Sequence, residues 1–263
     1  MHKSQKKNYK VVKNIINYIN SDIKLKALFN HPNRKYKLST LLRYVIQILK
    51  TGLSFRQFEE IKNPDSCWNT IYKFFIKLQK SNVISLSYYD TVKKYLQKNL
   101  NNNVNIFITD TTIIPNKLGI DKIGYNPQIP KHKASKISLI TDEKGIPLEA
   151  NIYSCSNYDS TILDIQLDDF NKHYKSILNN NNILLGDAGY DSNKVRDKLK
   201  AINFGKLVAA KNKRNIKNKE KLEAIKLSLE EKQLLKKRIK IDPCVFSKEK
   251  TQATLEKKSR FFF

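Results

Sequence analysis

Apolar residues recur at three- and four-residue intervals through the first hundred positions, and after residue 103 they gather into short runs closed by turn residues. The first pattern predicts helices. Leu41, Leu42, Val45, Ile46 and Leu49 share one helical stripe, and Gly52 closes that element. Ser54 with Gln57 three residues on forms a capping box for a following helix that Pro64 ends. In WNTIYKFFIKLQK, Ile71, Phe74, Phe75 and Leu78 make an apolar stripe while Lys73, Lys77 and Lys80 make a basic one, and Trp68 reads as core at the helix start. A helix, a turn and a helix with a basic outer face describe either a module that inserts a helix into a DNA groove or a small bundle whose lysines are merely solvated. The Asn-rich run 99–103 marks a boundary, so residues 1–100 are expected to form a helical, helix-turn-helix-like region and residues 104–263 a second domain.

The second pattern predicts strands at 104–109 (VNIFIT, leading into Asp110), 136–141 (KISLIT) and 147–154 (PLEANIYS), the last two joined by the turn DEKG. Short connections imply antiparallel neighbours. A helix over about 160–174, a strand ILLG ending at Asp187, a helix over 193–201, a strand over 206–210 and a charged helix over roughly 219–241 follow. The expected class is α/β: a mixed sheet of three antiparallel strands, then parallel strands with flanking helices, preceded by an all-helical region.

Charge narrows the partners. Fifty Lys and Arg against 24 Asp and Glu leave a formal charge of +26, which favours polyanions through counterion release and makes nucleic acid the first candidate. Abundant Lys, Asn and Ile beside only 7 Gly resemble AT-rich coding bias, so part of that excess carries no functional weight. A membrane partner is not expected, since no apolar run of about 18 residues exists and the amino terminus lacks the apolar centre of a signal peptide. Cys67, Cys155 and Cys244 are too scattered for a disulfide framework or a zinc site, which fits a reducing, intracellular compartment.

The chemistry-bearing feature is a pair of aspartates. Asp110 and Asp187, 77 residues apart, each follow an apolar run; each is either an ordinary turn residue or a carboxylate at the sheet edge where ligands collect. If their strands are neighbours, the two side chains meet. Paired carboxylates in a basic protein suit two Mg²⁺ or Mn²⁺ ions that clamp the oxygens of a phosphodiester.

Four ordered blocks now carry a resemblance: FITDTT around Asp110; the segment from Gly124 through Asn126, Lys131, Lys136, Asp142 and Gly145 to Pro147; SNYDS at 156–160; and LLGDAGYDS around Asp187. Together, over about residues 35–250, they resemble the DDE transposases of bacterial insertion sequences, which have a ribonuclease-H-like core. The resemblance implies an enzyme that hydrolyses a phosphodiester at the ends of its mobile element and transfers the freed 3′-hydroxyl to target DNA, with terminal inverted repeats and target DNA as partners and a homodimer in the DNA complex. It assigns the first two acids to Asp110 and Asp187. The third, a glutamate four residues past an arginine in the family, falls at Asp242 after Arg238, with Glu249 as the alternative.

That last block departs from the family pattern. Aspartate stands for glutamate, Leu235 for tyrosine, Pro243 follows at once, and Phe246 falls one residue late. Proline disfavours helix in the residue before it, and the tail ending in FFF lacks an amphipathic helix, as a frameshift or truncation would produce. A catalytically inactive DNA-binding remnant is therefore the alternative to an active enzyme; a basic packaging protein would explain the charge but not the aspartate blocks. Lys131, Lys133 and Lys136, placed before the second strand, and Asn126 are candidate DNA contacts or solvated loop residues. Arg238 either neutralises a phosphate or pairs with Asp242. Asp159 either orients DNA or caps a helix, and His132 reads as an exposed loop residue.

Overall fold

The computed structural model describes residues 3–32, 34–99, 104–116, 121–125, 133–210 and 227–239. Asn126, Lys131, His132, Asp242, Pro243, Phe246 and Glu249 lie outside the described residues. Two compact units divide at Tyr95 and Leu96, inside a helix and slightly before the Asn-rich run.

In the first unit the helices are α1 (Lys3–Ser21), α2 (Ile23–Phe29), α3 (Leu38–Thr51), α4 (Phe55–Lys62), α5 (Trp68–Lys80) and most of α6 (Val83–Asn99). The expected punctuation is realised. Gly52 caps α3 in the left-handed region at φ 69°, which glycine adopts without a Cβ penalty. Both bonds of the Ser54–Gln57 capping box form at the start of α4. Leu41, Leu42, Val45 and Ile48 are buried on α3, and Ile71, Phe74 and Leu78 on α5. Trp68 departs from its expected place in the core: it is half-buried, with the Arg56 guanidinium 4.8 Å from its ring centroid, a cation–π contact that lets the indole stay at the surface.

The second unit is a mixed sheet: β1 (Ile106–Pro115), β2 (Gly124–Tyr125), β3 (Lys133–Asp142), β4 (Pro147–Ser154), β5 (Ile183–Gly186) and β6 (Lys206–Ala209). Its helices are α7 (Asp159–Tyr174), α8 (Asn193–Ala201) and α9 (Leu229–Ile239). β3 pairs antiparallel with β1, β2 and β4, whereas β5 runs parallel to both β1 and β6. Three antiparallel strands, then helix and parallel strand in alternation, give the ribonuclease-H-like order expected from the sequence. The turn between β3 and β4 is closed by Asp142, whose carboxylate accepts from the backbone of Lys144 and Ile146.

Alternation along the strands sorts side chains between two faces. On one, Phe107 packs with Phe170 of α7 and with Phe204. On the other, Ile108, Ile183, Leu185 and Val208 form an apolar cluster against Leu234 and Leu235 of α9. Of the expected helix over 219–241, the described part is helical at Leu229–Ile239: Ser228 and Glu231 make reciprocal side-chain-to-backbone bonds, a capping box that begins α9 at Leu229.

Candidate active site at the end of the parallel strands

β1 and β5 pair with a constant offset, Ile106 beside Ile183 and Ile108 beside Leu185. The two aspartates are separated by that same offset, so they stand level just past the last paired residues. Asp110 continues the face of Ile106 and Ile108, and Asp187 continues that of Ile183 and Leu185. Asp110 is not at a strand end, as the sequence suggested; β1 runs on to Pro115 through its pairing with β3. What ends beside Asp110 is β5, and that leaves the carboxylate at an open edge.

The same face brings in α9. Leu234 and Leu235 seat the helix on the sheet, and Arg238, one turn later, is carried to the aspartates because residues three and four apart share a helix face. Its Nη2 lies 3.3 Å from Asp110 Oδ1 and 4.0 Å from Asp187 Oδ2. The two carboxylates thus converge on a single cationic nitrogen. The sequence left Arg238 between a phosphate contact and a pairing with Asp242; among the described residues it pairs with the first two acids.

The turn GDAGYDS accounts for nearly every residue in it. Asp187 caps a 3₁₀ turn over Ala188–Tyr190, accepting from the Gly189 amide at 2.8 Å. A Cβ on Gly186 would come within 3.0 Å of the Tyr190 ring, so glycine there lets Tyr190 fold back and be buried. A Cβ on Gly189 would meet Asp187 Oδ1 at 3.1 Å and Asp159 Oδ2 at 3.4 Å. Asp191 pairs with Arg196, and Ser192 caps α8 through the Val195 amide. Burial pushes the Tyr190 phenol far above its ordinary range, and the charges of Asp110, Asp159 and Asp187 add to it.

Lys136 needs correction as a candidate DNA contact. It lies within β3, not before it, and its side chain is only 10% exposed, with Nζ 2.9 Å from both Asp159 Oδ1 and the Asn157 carbonyl oxygen. An ammonium in a sheet interior requires such partners. Lys133, also inside β3, is exposed at its first residue, as are Lys73 and Lys80 on α5. Lys77 is half-buried over the Phe29 ring. Asp159 is the first residue of α7 and not its cap, a position held by Tyr158. Its carboxylate accepts from Thr111 and Lys136. The sequence missed Thr111 as a site neighbour, although FITDTT placed it next to Asp110.

Divalent cations fit this pair chemically. Two carboxylates supply the hard oxygen donors that Mg²⁺ and Mn²⁺ prefer, and they already converge on a positive group. Among the described residues no three His, Cys, Asp or Glu side chains group as metal ligands. No helix among the described residues is long and apolar enough to cross a membrane.

Among curated proteins none matches the chain. Among solved structures, a piggyBac transposase synaptic complex with hairpin DNA is similar at 12% identity and TM-score 0.41, over 81% of this chain and 51% of that one. This chain therefore spans about half the length of that transposase. The catalytic domain of Mos1 mariner transposase is similar at 13% identity and TM-score 0.29, over 61% and 89% of the two chains. A Mos1 mariner paired end complex with Mn is similar at 12% identity and TM-score 0.30, over 82% and 80%. The family model described as the transposase DDE domain matches residues 105–259, more than half of the 263-residue chain, and the chain belongs to that family.

Proposed function

We propose that this chain is a DNA transposase that hydrolyses a phosphodiester at the ends of its own mobile element and then uses the freed 3′-hydroxyl to attack target DNA. The observation that carries the reading is the convergence of Asp110 and Asp187 on Arg238 at the open edge of the sheet. Asp110 and Asp187, with Asp242 or else Glu249, would hold two Mg²⁺ or Mn²⁺ ions. Such ions polarise a phosphoryl oxygen and lower the pKa of bound water. Arg238, which reaches both carboxylates, would turn its guanidinium to a substrate phosphate, for which its fork of donors is suited. Lys73, Lys77 and Lys80 on α5, Lys133, and the loop residues Asn126 and Lys131 would contact the DNA backbone, while the buried pairing of Lys136 removes it from that set. The terminal inverted repeats and target DNA are the partners, a homodimer the working form, and the cell interior the setting.

The second reading, a DNA-binding remnant without cleavage, is supported by the irregular block around Asp242. One experiment separates the two. Purified protein with Mn²⁺ is incubated with DNA carrying the element's terminal repeats, beside Asp187→Asn. Nicking by the wild type alone supports the enzyme; equal inertness with retained repeat binding supports the remnant.

A further inference from the structure

We propose that Asp159 is a positioning residue that ties together the two segments bearing the site carboxylates, an inference that rests on reading Asp110 and Asp187 as the metal-holding pair. Three neighbours meet at this one side chain. Its Oδ1 accepts from Thr111 Oγ1 at 3.1 Å, and Thr111 is the immediate neighbour of Asp110 on β1. The same oxygen accepts from Lys136 Nζ at 2.9 Å, which fixes it against β3. Its Oδ2 and Cβ lie 3.4 and 3.8 Å from where a Cβ on Gly189 would stand, so it borders the space that glycine leaves open, and the Gly189 amide in turn donates to Asp187. A single carboxylate therefore bonds β1 to β3 and stands beside the turn after β5.

Simpler roles account for less. A helix cap is excluded because Tyr158 holds that position and the Asp159 oxygens turn toward the sheet. A charge placed only to favour the α7 dipole has no need of a lysine that is 10% exposed. A pair serving only to dock α7 would not have to hold the residue beside Asp110 and also border the space beside the glycine two residues after Asp187. The Lys194–Asp164 pair between α8 and α7 shows what simple docking looks like: one contact at 2.8 Å, remote from either aspartate in the chain. Groups that orient metal ligands without touching the ion commonly govern affinity tenfold or more.

The test uses the full chain and Mn²⁺ alone, with binding followed by electron paramagnetic resonance and, in metal-free protein, hydrogen exchange followed at the amides of 187–190. Asp159→Asn is expected to weaken Mn²⁺ binding about tenfold or more and to speed exchange across that turn. Asp164→Asn, which breaks only the docking pair, is expected to change neither. If Asp159→Asn misfolds, Thr111→Val removes a single donor at near-constant shape and is expected to weaken Mn²⁺ binding several-fold. Wild-type affinity in whichever of these variants folds overturns the positioning role. Asp110→Asn keeps the two ideas apart: if it leaves Mn²⁺ binding unchanged, or if the wild type binds none, the metal-pair reading fails. Exchange in the 187–190 turn then decides the role of Asp159 by itself, and an unchanged rate in Asp159→Asn overturns it.

Discussion

Arg238 Nη2 lies 3.3 Å from Asp110 Oδ1, an ion pair spanning 128 residues of sequence that fastens α9 to the middle of β1. Replacing Arg238 by Met leaves Asp110 and Asp187 facing each other with their shared cation removed. Both partners are partly exposed, so the loss of stability should be about 1 kcal/mol, and it should shrink as salt screens the repulsion. Urea denaturation at low and high ionic strength measures this. Equal stability of variant and wild type at low salt would show that the arginine does not neutralise the pair.

Gly189→Ala should act on the site without unfolding the protein. Gly189 has no positive φ, so alanine brings no backbone strain; the added methyl instead presses on Asp187 Oδ1 at 3.1 Å. The carboxylate must shift by a few tenths of an ångström. Mn²⁺ affinity is expected to drop about tenfold while the thermal midpoint stays close to wild type. A midpoint lowered in step with the affinity would mean that the turn itself had collapsed.

Two lysines three residues apart should behave in opposite ways. Lys133→Gln removes an exposed charge and, if that residue meets a phosphate, should reduce the slope of log binding constant against log salt by about 1 with little change in stability. Lys136→Gln removes the partner of Asp159 in the sheet interior and should cost about 3 kcal/mol or more, with the salt slope unchanged. Filter binding to a fixed DNA fragment across a salt series, beside chemical denaturation, reads both quantities.

Burial keeps the Tyr190 proton on well past the ordinary phenol range. A neutral form favoured only in the folded state contributes stability that is complete below the unfolded pKa of about 10 and is lost as pH rises above it, because the unfolded chain then gives up a proton that the folded chain keeps. Tyr153, which burial pushes up to about 12, acts in the same direction. Denaturation midpoints from pH 8 to 11 should therefore fall more steeply in the wild type than in Tyr190→Phe. Parallel curves would place the alkaline loss on other groups.

Much of the secondary structure was legible because local rules govern it. Gly52 and the Ser54–Gln57 box end and begin helices through backbone groups within four residues of themselves. The β4 strand and α8 occupy the segments expected of them. Where local rules met long-range packing they misled. Trp68 looked like core yet stays half-exposed under Arg56, and Lys136 looked like a loop lysine yet is sealed into β3, because the partners that settle each case lie elsewhere in the chain.

The two aspartates show the same division. The sequence alone determined that each follows an apolar run, and therefore that each stands next to a buried strand segment, since hydrophobic patterning and turn chemistry are properties of neighbouring residues. Only the tertiary structure decided that β1 and β5 pair at the offset separating Asp110 from Asp187. It alone set Arg238 between them and joined Asp159 to the segments on either side. Register and helix docking are chosen by whole faces packing against one another, and no short stretch of chain carries that information.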